Sequence, residues 1–247
     1  MRKGEPIKLL LIDADIQYRE SMVCHLCQED LDVEVAGSGE DGLDLFSSGT
    51  FDLVILDVLL PGINGFEVLR QIRSESNCAV IILTAKSSDI DRIIGLEVGA
   101  DDYLDKSIFP RELVARLYAV LRRGTRFSNS TSGSSESLIQ VGELVLDKER
   151  RSVASKGKLV ELTTIEFNLL EALLQSVGRI VTREELSQTV FQRGFNPIDR
   201  SLDVHISQLR KKLEIPLVNG EPGIKTIRGV GYMFTRATTG ILLGGSD

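Results

Sequence analysis

Three polar residues stand immediately after three separate apolar runs. Asp13 follows LLLI, Asp57 follows LVIL, and Thr84 follows VIIL. A fourth, Lys106, closely follows the short Tyr103-Leu104 run. Together these groups suit phosphoryl transfer. One carboxylate can act as nucleophile, and a second can help hold Mg²⁺, which prefers oxygen ligands. A hydroxyl and an ammonium can then bind the phosphoryl oxygens, in a reaction driven mostly by positioning and charge neutralisation. Any one of these residues alone reads better as a helix cap or loop residue; the signal is the set.

The four can meet only if the runs before them are neighbouring strands. Ile7 to Ile12, Leu53 to Leu56 and Val80 to Leu83 are clear apolar runs; Asp32 to Ala36 is weaker, and a short one ends at Leu104. Continuous apolar runs suit strands covered on both faces, as in a parallel sheet. Amphipathic segments alternate with them; in the last, Leu113, Leu117, Val120 and Leu121 recur at helical spacing. Five strands alternating with five helices predict an α/β fold with a doubly wound five-stranded parallel sheet over residues 1–123. In such sheets chemistry sits beyond the carboxyl ends of the strands, where all four residues would lie.

Residues 124–137, GTRFSNSTSGSSES, read as a flexible linker. The pattern then changes, and residues 138–236 are expected to form a second, α+β domain. Strand candidates are Ile139 to Leu146, Ser152 to Ala154 and Leu159 to Leu162. Thr163 with Glu166, and Thr182 with Glu185, are capping boxes that open helices. A third helix is expected near Asn196-Pro197. Ile224 to Thr235 reads as a hairpin tipped by Gly229 and Gly231. This is a winged-helix pattern. Residues 237–247 read as a disordered tail.

The net charge of −7 over 247 residues looks wrong for a nucleic-acid binder until it is divided. Residues 1–123 hold 13 Lys+Arg against 22 Asp+Glu, a balance of −9; residues 138–247 hold 15 against 13, a balance of +2. The two halves have different tasks. Three cysteines without a secretion signal point to a reducing, cytoplasmic setting. Cys24 and Cys27 form a CxxC with no second ligand pair, and read as core cysteines of an amphipathic helix. No stretch approaches the roughly 20 apolar residues of a membrane span.

In the segment DRSLDVHISQLRKKLE, Leu202, Ile206, Leu209 and Leu213 form a narrow apolar stripe. The opposite face presents Arg200, Val204, Ser207, Gln208 and Lys211. Arg200 and Lys211 can neutralise phosphates or pair with guanine, Gln208 can pair with adenine, and Val204 can touch a thymine methyl. His205 lies at the border of the stripe, where packing and DNA contact are equally open to it. Arg228, beside the hairpin tip, can enter a minor groove.

LVILDVLLPGINGFEVL and LTAKSSDIDRIIGLEVGADDYLDK resemble response-regulator receivers of the OmpR/PhoB family, a likeness spanning residues 7–123. SLDVHISQLRKKLE and IKTIRGVGY extend it to the winged-helix effector of that family over residues 138–235. The resemblance implies a flavodoxin-like receiver whose Asp57 accepts a phosphoryl group from a sensor histidine kinase, with Thr84 and Lys106 gripping its oxygens. It implies Mg²⁺ held by Asp13, Asp57 and the Leu59 carbonyl, and Tyr103 as an aromatic that turns inward on activation. It implies a homodimer through the last strand and flanking helices of the receiver, pairing Arg92 with Glu112 and Asp102 with Arg116. It implies binding to direct repeats of double-stranded promoter DNA, and contact of the loop FQRGFNP with RNA polymerase. At most the chain would phosphorylate and dephosphorylate itself stoichiometrically; it is not expected to be an enzyme.

The sequence departs from the family in three places. The family usually has two adjacent acids after the first strand; here Ala14 holds the position of the one that touches the metal, and a methyl group cannot coordinate Mg²⁺. Lys106-Ser107 stands where Lys-Pro with a cis bond is usual, and a cis bond before serine costs about 2.5–4 kcal/mol. Tyr118 stands where a lysine is common in the dimer salt-bridge set. The runner-up reading is therefore a regulator that dimerises and binds DNA without phosphate. A phosphatase using Asp57 as nucleophile would share Thr84 and Lys106 but leaves the second half unexplained.

Overall fold

A computed structural model describes residues 6–29, 31–86, 88–121, 137–214 and 223–235. The expected tail and all of the expected linker except Ser137 lie outside these residues.

The first domain holds β1 (Ile7–Ile12), α1 (Ile16–Cys27), β2 (Leu31–Ala36), α2 (Gly39–Ser48), β3 (Leu53–Leu56) and α3 (Gly65–Glu75). It continues through β4 (Ala79–Thr84), α4 (Asp89–Val98), β5 (Asp102–Asp105) and α5 (Pro110–Leu121). The sheet order is β2-β1-β3-β4-β5 and every pairing is parallel. Strand alternation sorts the apolar runs onto two faces. Leu9, Leu11, Leu53, Ile55, Ile81 and Leu83 pack with Met22 and Leu26 of α1 and with Leu113 and Leu117 of α5. Leu10, Ile12, Val54, Leu56, Val80 and Ile82 pack with Val68, Leu69 and Ile72 of α3 and Leu96 of α4. Both faces are covered, which is why β3 and β4 are buried throughout.

The second domain opens with an antiparallel sheet of β6 (Leu138–Val141), β7 (Leu144–Asp147), β8 (Ser152–Ser155) and β9 (Lys158–Val160). The single strand expected from Ile139 to Leu146 is thus two strands. Gly142, at φ 61°, turns the chain between them, a conformation glycine adopts without steric cost. Next come α6 (Thr164–Leu174), β10 (Val181–Thr182), α7 (Arg183–Leu186) running into a π-helical turn over Ser187–Phe191, and α8 (Ser201–Leu213). The hairpin β11 (Ile224–Ile227) and β12 (Gly231–Phe234) pairs with β10 to complete a winged helix. Both capping boxes form, at Thr163 with Glu166 and at Thr182 with Glu185.

Two sequence expectations fail here. The third helix begins at Ser201, not near Asn196-Pro197. The Asn196 side chain accepts from the Ile198 amide at 3.0 Å, closing a local turn. Asp199 Oδ1 accepts from the Ser201 amide at 2.9 Å instead. Cys24 and Cys27 are exposed rather than core, because α1 buries only Met22 and Leu26. Among the described residues no helix is long and apolar enough to cross a membrane.

Candidate functional site

The parallel sheet brings the ends of β1, β3, β4 and β5 to one edge. Asp13 follows β1, Asp57 follows β3, Thr84 ends β4, and Lys106 follows β5. Asp13, Asp57 and Thr84 are all buried. The sheet ladder continues into the site: the Asp57 amide donates to Ile12 O at 2.9 Å, and the Lys106 amide to Thr84 O at 3.0 Å. The following turn comes so close that Gly65 has no room for a Cβ, which would overlap the Asp57 carbonyl. Lys106 Nζ lies 2.6 Å from Asp13 Oδ2 and 2.6 Å from Asp57 Oδ2. Its ammonium also sits over the Tyr18 ring, 4.6 Å from the centroid.

Burial pushes the Asp13 carboxyl above its usual range, with hydrogen bonds from Lys106 and the Asp15 amide pulling the other way. Burial also works against the Lys106 charge, but the two carboxylates outweigh it and hold the ammonium above its usual value. Lys106 is therefore a fixed cation between two acids. Tyr18, whose phenol is buried without a hydrogen-bond partner, is held protonated by burial and by Asp13, Asp57 and Asp105.

The donor set does not complete a Mg²⁺ site as it stands. Asp13 Oδ1 accepts from the Asp15 amide at 2.9 Å, and Asp57 Oδ1 from the Leu59 amide at 3.0 Å. The other two oxygens are taken by Lys106. Each carboxylate oxygen thus already has a partner, and Ala14 adds none. Among the described residues no group of three or more His, Cys, Asp or Glu could hold a metal ion.

Of the remaining residues singled out from sequence, Tyr103 is fully buried and its hydroxyl donates to Lys86 O. Thr84 Oγ1 accepts from the Lys86 amide at 3.2 Å. The peptide bonds of the described residues, Lys106–Ser107 included, are trans.

In the second domain the apolar stripe Leu202, Ile206, Leu209 and Leu213 is buried, as its spacing predicts. Arg200, Ser207, Lys211 and the wing residue Arg228 are exposed, and Gln208 is half-buried. Val204 and His205 are buried. Asp203 is held below the usual carboxylate range: burial works to raise it, but hydrogen bonds from Arg183 and Tyr232 and the Arg183 charge prevail. That trio ties α7, α8 and the wing together.

Residues 9–118 match the response regulator receiver domain, and residues 157–234 match the transcriptional regulatory protein C-terminal domain. The chain is 42% identical over 234 residues to the transcriptional regulatory protein CpxR of Escherichia coli (strain K12), covering 94% of this chain and 99% of that protein. The chain is a response regulator of the OmpR/PhoB family. The sensory transduction protein RegX3 of Mycolicibacterium smegmatis is 37% identical over 224 residues, covering 91% and 97% of the two chains. The solved structure of DrrB, an OmpR/PhoB homolog from Thermotoga maritima, matches with a TM-score of 0.50 at 34% identity, covering 94% of this chain and all of DrrB. A RitR mutant structure shares the fold, with a TM-score of 0.72 at 23% identity over 93% and 99% of the chains.

The receiver face expected to form the dimer is engaged within this chain. Arg116 pairs with its own Asp102 at 3.1 Å and with Glu112 at 2.5 Å. Arg92 lies 3.7 Å from Asp199, and Arg193 lies 3.7 Å from Asp102. Asp101, Arg193 and Asp199 were not singled out by sequence reasoning. Besides partners within its own domain, each has one across the domain boundary, which spacing along the chain does not reveal.

Proposed function

We propose that this response regulator takes a phosphoryl group onto Asp57 from a phosphohistidine of a sensor kinase and, as a dimer, binds promoter DNA. The observation that supports this most is Lys106 Nζ at 2.6 Å from both Asp13 and Asp57, so that residues from three strands share one charge cluster. In the transfer an Asp57 carboxylate oxygen bonds to phosphorus as the phosphorus–nitrogen bond of the phosphohistidine breaks, and the electron pair leaves on the imidazole. Lys106 shifts from carboxylate to phosphoryl oxygen, and the Thr84 hydroxyl donates to another. Added charge of about −1.5 to −2 then reorders the edge. The reaction is stoichiometric, one group per chain.

Receivers of this family generally bind Mg²⁺. Asp13, Asp57 and the Leu59 carbonyl are the groups that would hold it here, one carboxylate short of the family set. The receiver face of Arg92, Asp102, Glu112 and Arg116 is the dimer surface in this reading. Arg200, Ser207, Gln208 and Lys211, with Val204 and His205 once uncovered, read the major groove of direct repeats, and Arg228 enters the minor groove. The loop over residues 191–197 faces RNA polymerase, and the setting is the cytoplasm. Ala14 and the fully partnered carboxylates favour a second reading, in which the chain binds DNA without phosphate.

Incubation with acetyl phosphate, with and without Mg²⁺, separates the two. The phosphate reading expects an intact mass higher by one phosphoryl group, absent in Asp57→Ala, and tighter Mg²⁺ binding with faster gain in Ala14→Asp. No gain under any metal condition favours the second reading.

A further inference from the structure

The ammonium of Lys106 is held from three sides. Nζ lies 2.6 Å from Asp13 Oδ2 and 2.6 Å from Asp57 Oδ2. The third side is aromatic: the centroid of the Tyr18 ring lies 4.6 Å from Nζ. A cation within about 6 Å of a ring centroid is attracted by the negative face of the ring, and more strongly where water is excluded. The Lys106 side chain is 16% exposed, and those of Asp13 and Asp57 are 2% and 4% exposed, so this is the more favourable setting.

The first turn of α1 fixes the ring there. The Asp15 amide donates to Asp13 Oδ1 at 2.9 Å, and the Asp15 side chain caps α1 by accepting from the Tyr18 amide at 3.1 Å. Beside it, the Arg19 side chain donates to the Asp13 carbonyl. Asp13 thus anchors both the ammonium and the turn that carries the ring. The Lys106 backbone is set separately, by its amide on Thr84 O at 3.0 Å. The Tyr18 hydroxyl is buried with no hydrogen-bond partner among the described residues. A buried tyrosine kept for its hydroxyl would place it on an acceptor; this one presents its ring.

We propose that Tyr18 is a positioning residue: its ring clamps the Lys106 ammonium between Asp13 and Asp57, so that this ammonium, not a divalent ion, is the resident cation of the two acids. Asp13 Oδ1 and Asp57 Oδ1 are engaged by the Asp15 and Leu59 amides, and the other two oxygens by Lys106. The residue after Asp13 is an alanine and offers no further oxygen from its side chain. A divalent ion competes with Lys106 for the same carboxylates, and the ring weighs on the side of Lys106. The inference deepens the phosphoryl-acceptor reading, in which Lys106 must leave a carboxylate for a phosphoryl oxygen. Neither measurement below requires phosphorylation. A chain that clamps Lys106 yet gains no mass from acetyl phosphate would therefore end that reading and leave this one standing.

Proton NMR of the full chain carrying isotope-labelled lysine tests the clamp. A ring face shields what lies over it, so the Lys106 ε-protons should resonate upfield of those of the other lysines, the signal being assigned by its loss in Lys106→Arg. The upfield shift should persist in Tyr18→Phe and vanish in Tyr18→Leu, which keeps an apolar side chain against the core. Unshifted ε-protons in the unsubstituted chain, a result that needs no variant, overturn the proposal, as does a shift that survives Tyr18→Leu. Mg²⁺ titration of the unsubstituted chain, Tyr18→Phe and Tyr18→Leu, followed through the Leu59 amide signal, tests the consequence. Tyr18→Leu should bind Mg²⁺ about five- to tenfold more tightly than the other two, the size of one partly desolvated cation–π contact. Equal affinity in all three, or binding by none, would overturn the exclusion of the divalent ion.

Discussion

In the proposed function four side chains carry the chemistry, and three of them announced themselves by ending an apolar run. Asp13, Asp57 and Thr84 are legible in sequence because a buried strand must stay apolar until it leaves the sheet. What spacing cannot show is how they pair. Lys106 bridging both acids, and the phenol of Tyr18 beside it, depend on the relative placement of α1 and β5. Asp13 is the strained member: burial raises its pKa despite Lys106. A carboxyl raised in the folded state above its ordinary 3.8 costs stability at neutral pH, and the cost fades as pH falls through the folded value and is gone below the unfolded one. Asp13→Asn should therefore raise the melting temperature by a few degrees at neutral pH. Melts repeated toward pH 3.8 should show the two proteins converging. A variant less stable at neutral pH would mean that the Lys106 pair outweighs desolvation.

The elements follow from patterning with few exceptions. Both capping boxes and the glycine-tipped wing form where the sequence places them. The false helix start at Asn196-Pro197 shows the limit of such signals. Asn followed by Pro fits a helix N-terminus, yet Asn196 uses its side chain on Ile198 in a tight turn, and the helix waits for Ser201. Cys24 and Cys27 show another. Amphipathic spacing marks a stripe on α1, but not how narrow the buried part is. On α4, Gly95 is set against Tyr103 so closely that an added Cβ would lie 2.8 Å from both Tyr103 Cδ2 and Ile82 Cδ1. Gly95→Ala should overpack this contact, cost about 1–3 kcal/mol in urea melts, and displace the Tyr103 ring from its inward position. Unchanged stability and unchanged Tyr103 ring shifts in NMR spectra would show that the contact has slack.

At the scale of the whole molecule, the acidic receiver and the near-neutral effector were separable from charge alone, and Arg200, Lys211 and Arg228 on the helix and wing are among the effector's exposed cations. The contacts between the domains were not legible. Asp101 and Ile165 are 64 residues apart, and the spacing of α8 shows a face without showing what covers it. Thus Val204, expected on the open face, is packed against the receiver. In the proposed function the molecule joins a phospho-acceptor edge to a reading helix through β5 and α4, which border both. The most direct test of that coupling is the affinity of the full chain for a promoter duplex bearing direct repeats. It should be measured across a salt series before and after acetyl phosphate treatment, with Asp57→Ala alongside. Tighter binding after treatment, lost in Asp57→Ala and falling steeply with salt, is predicted. Equal affinity in a sample whose mass shows the phosphoryl group on Asp57 would contradict it.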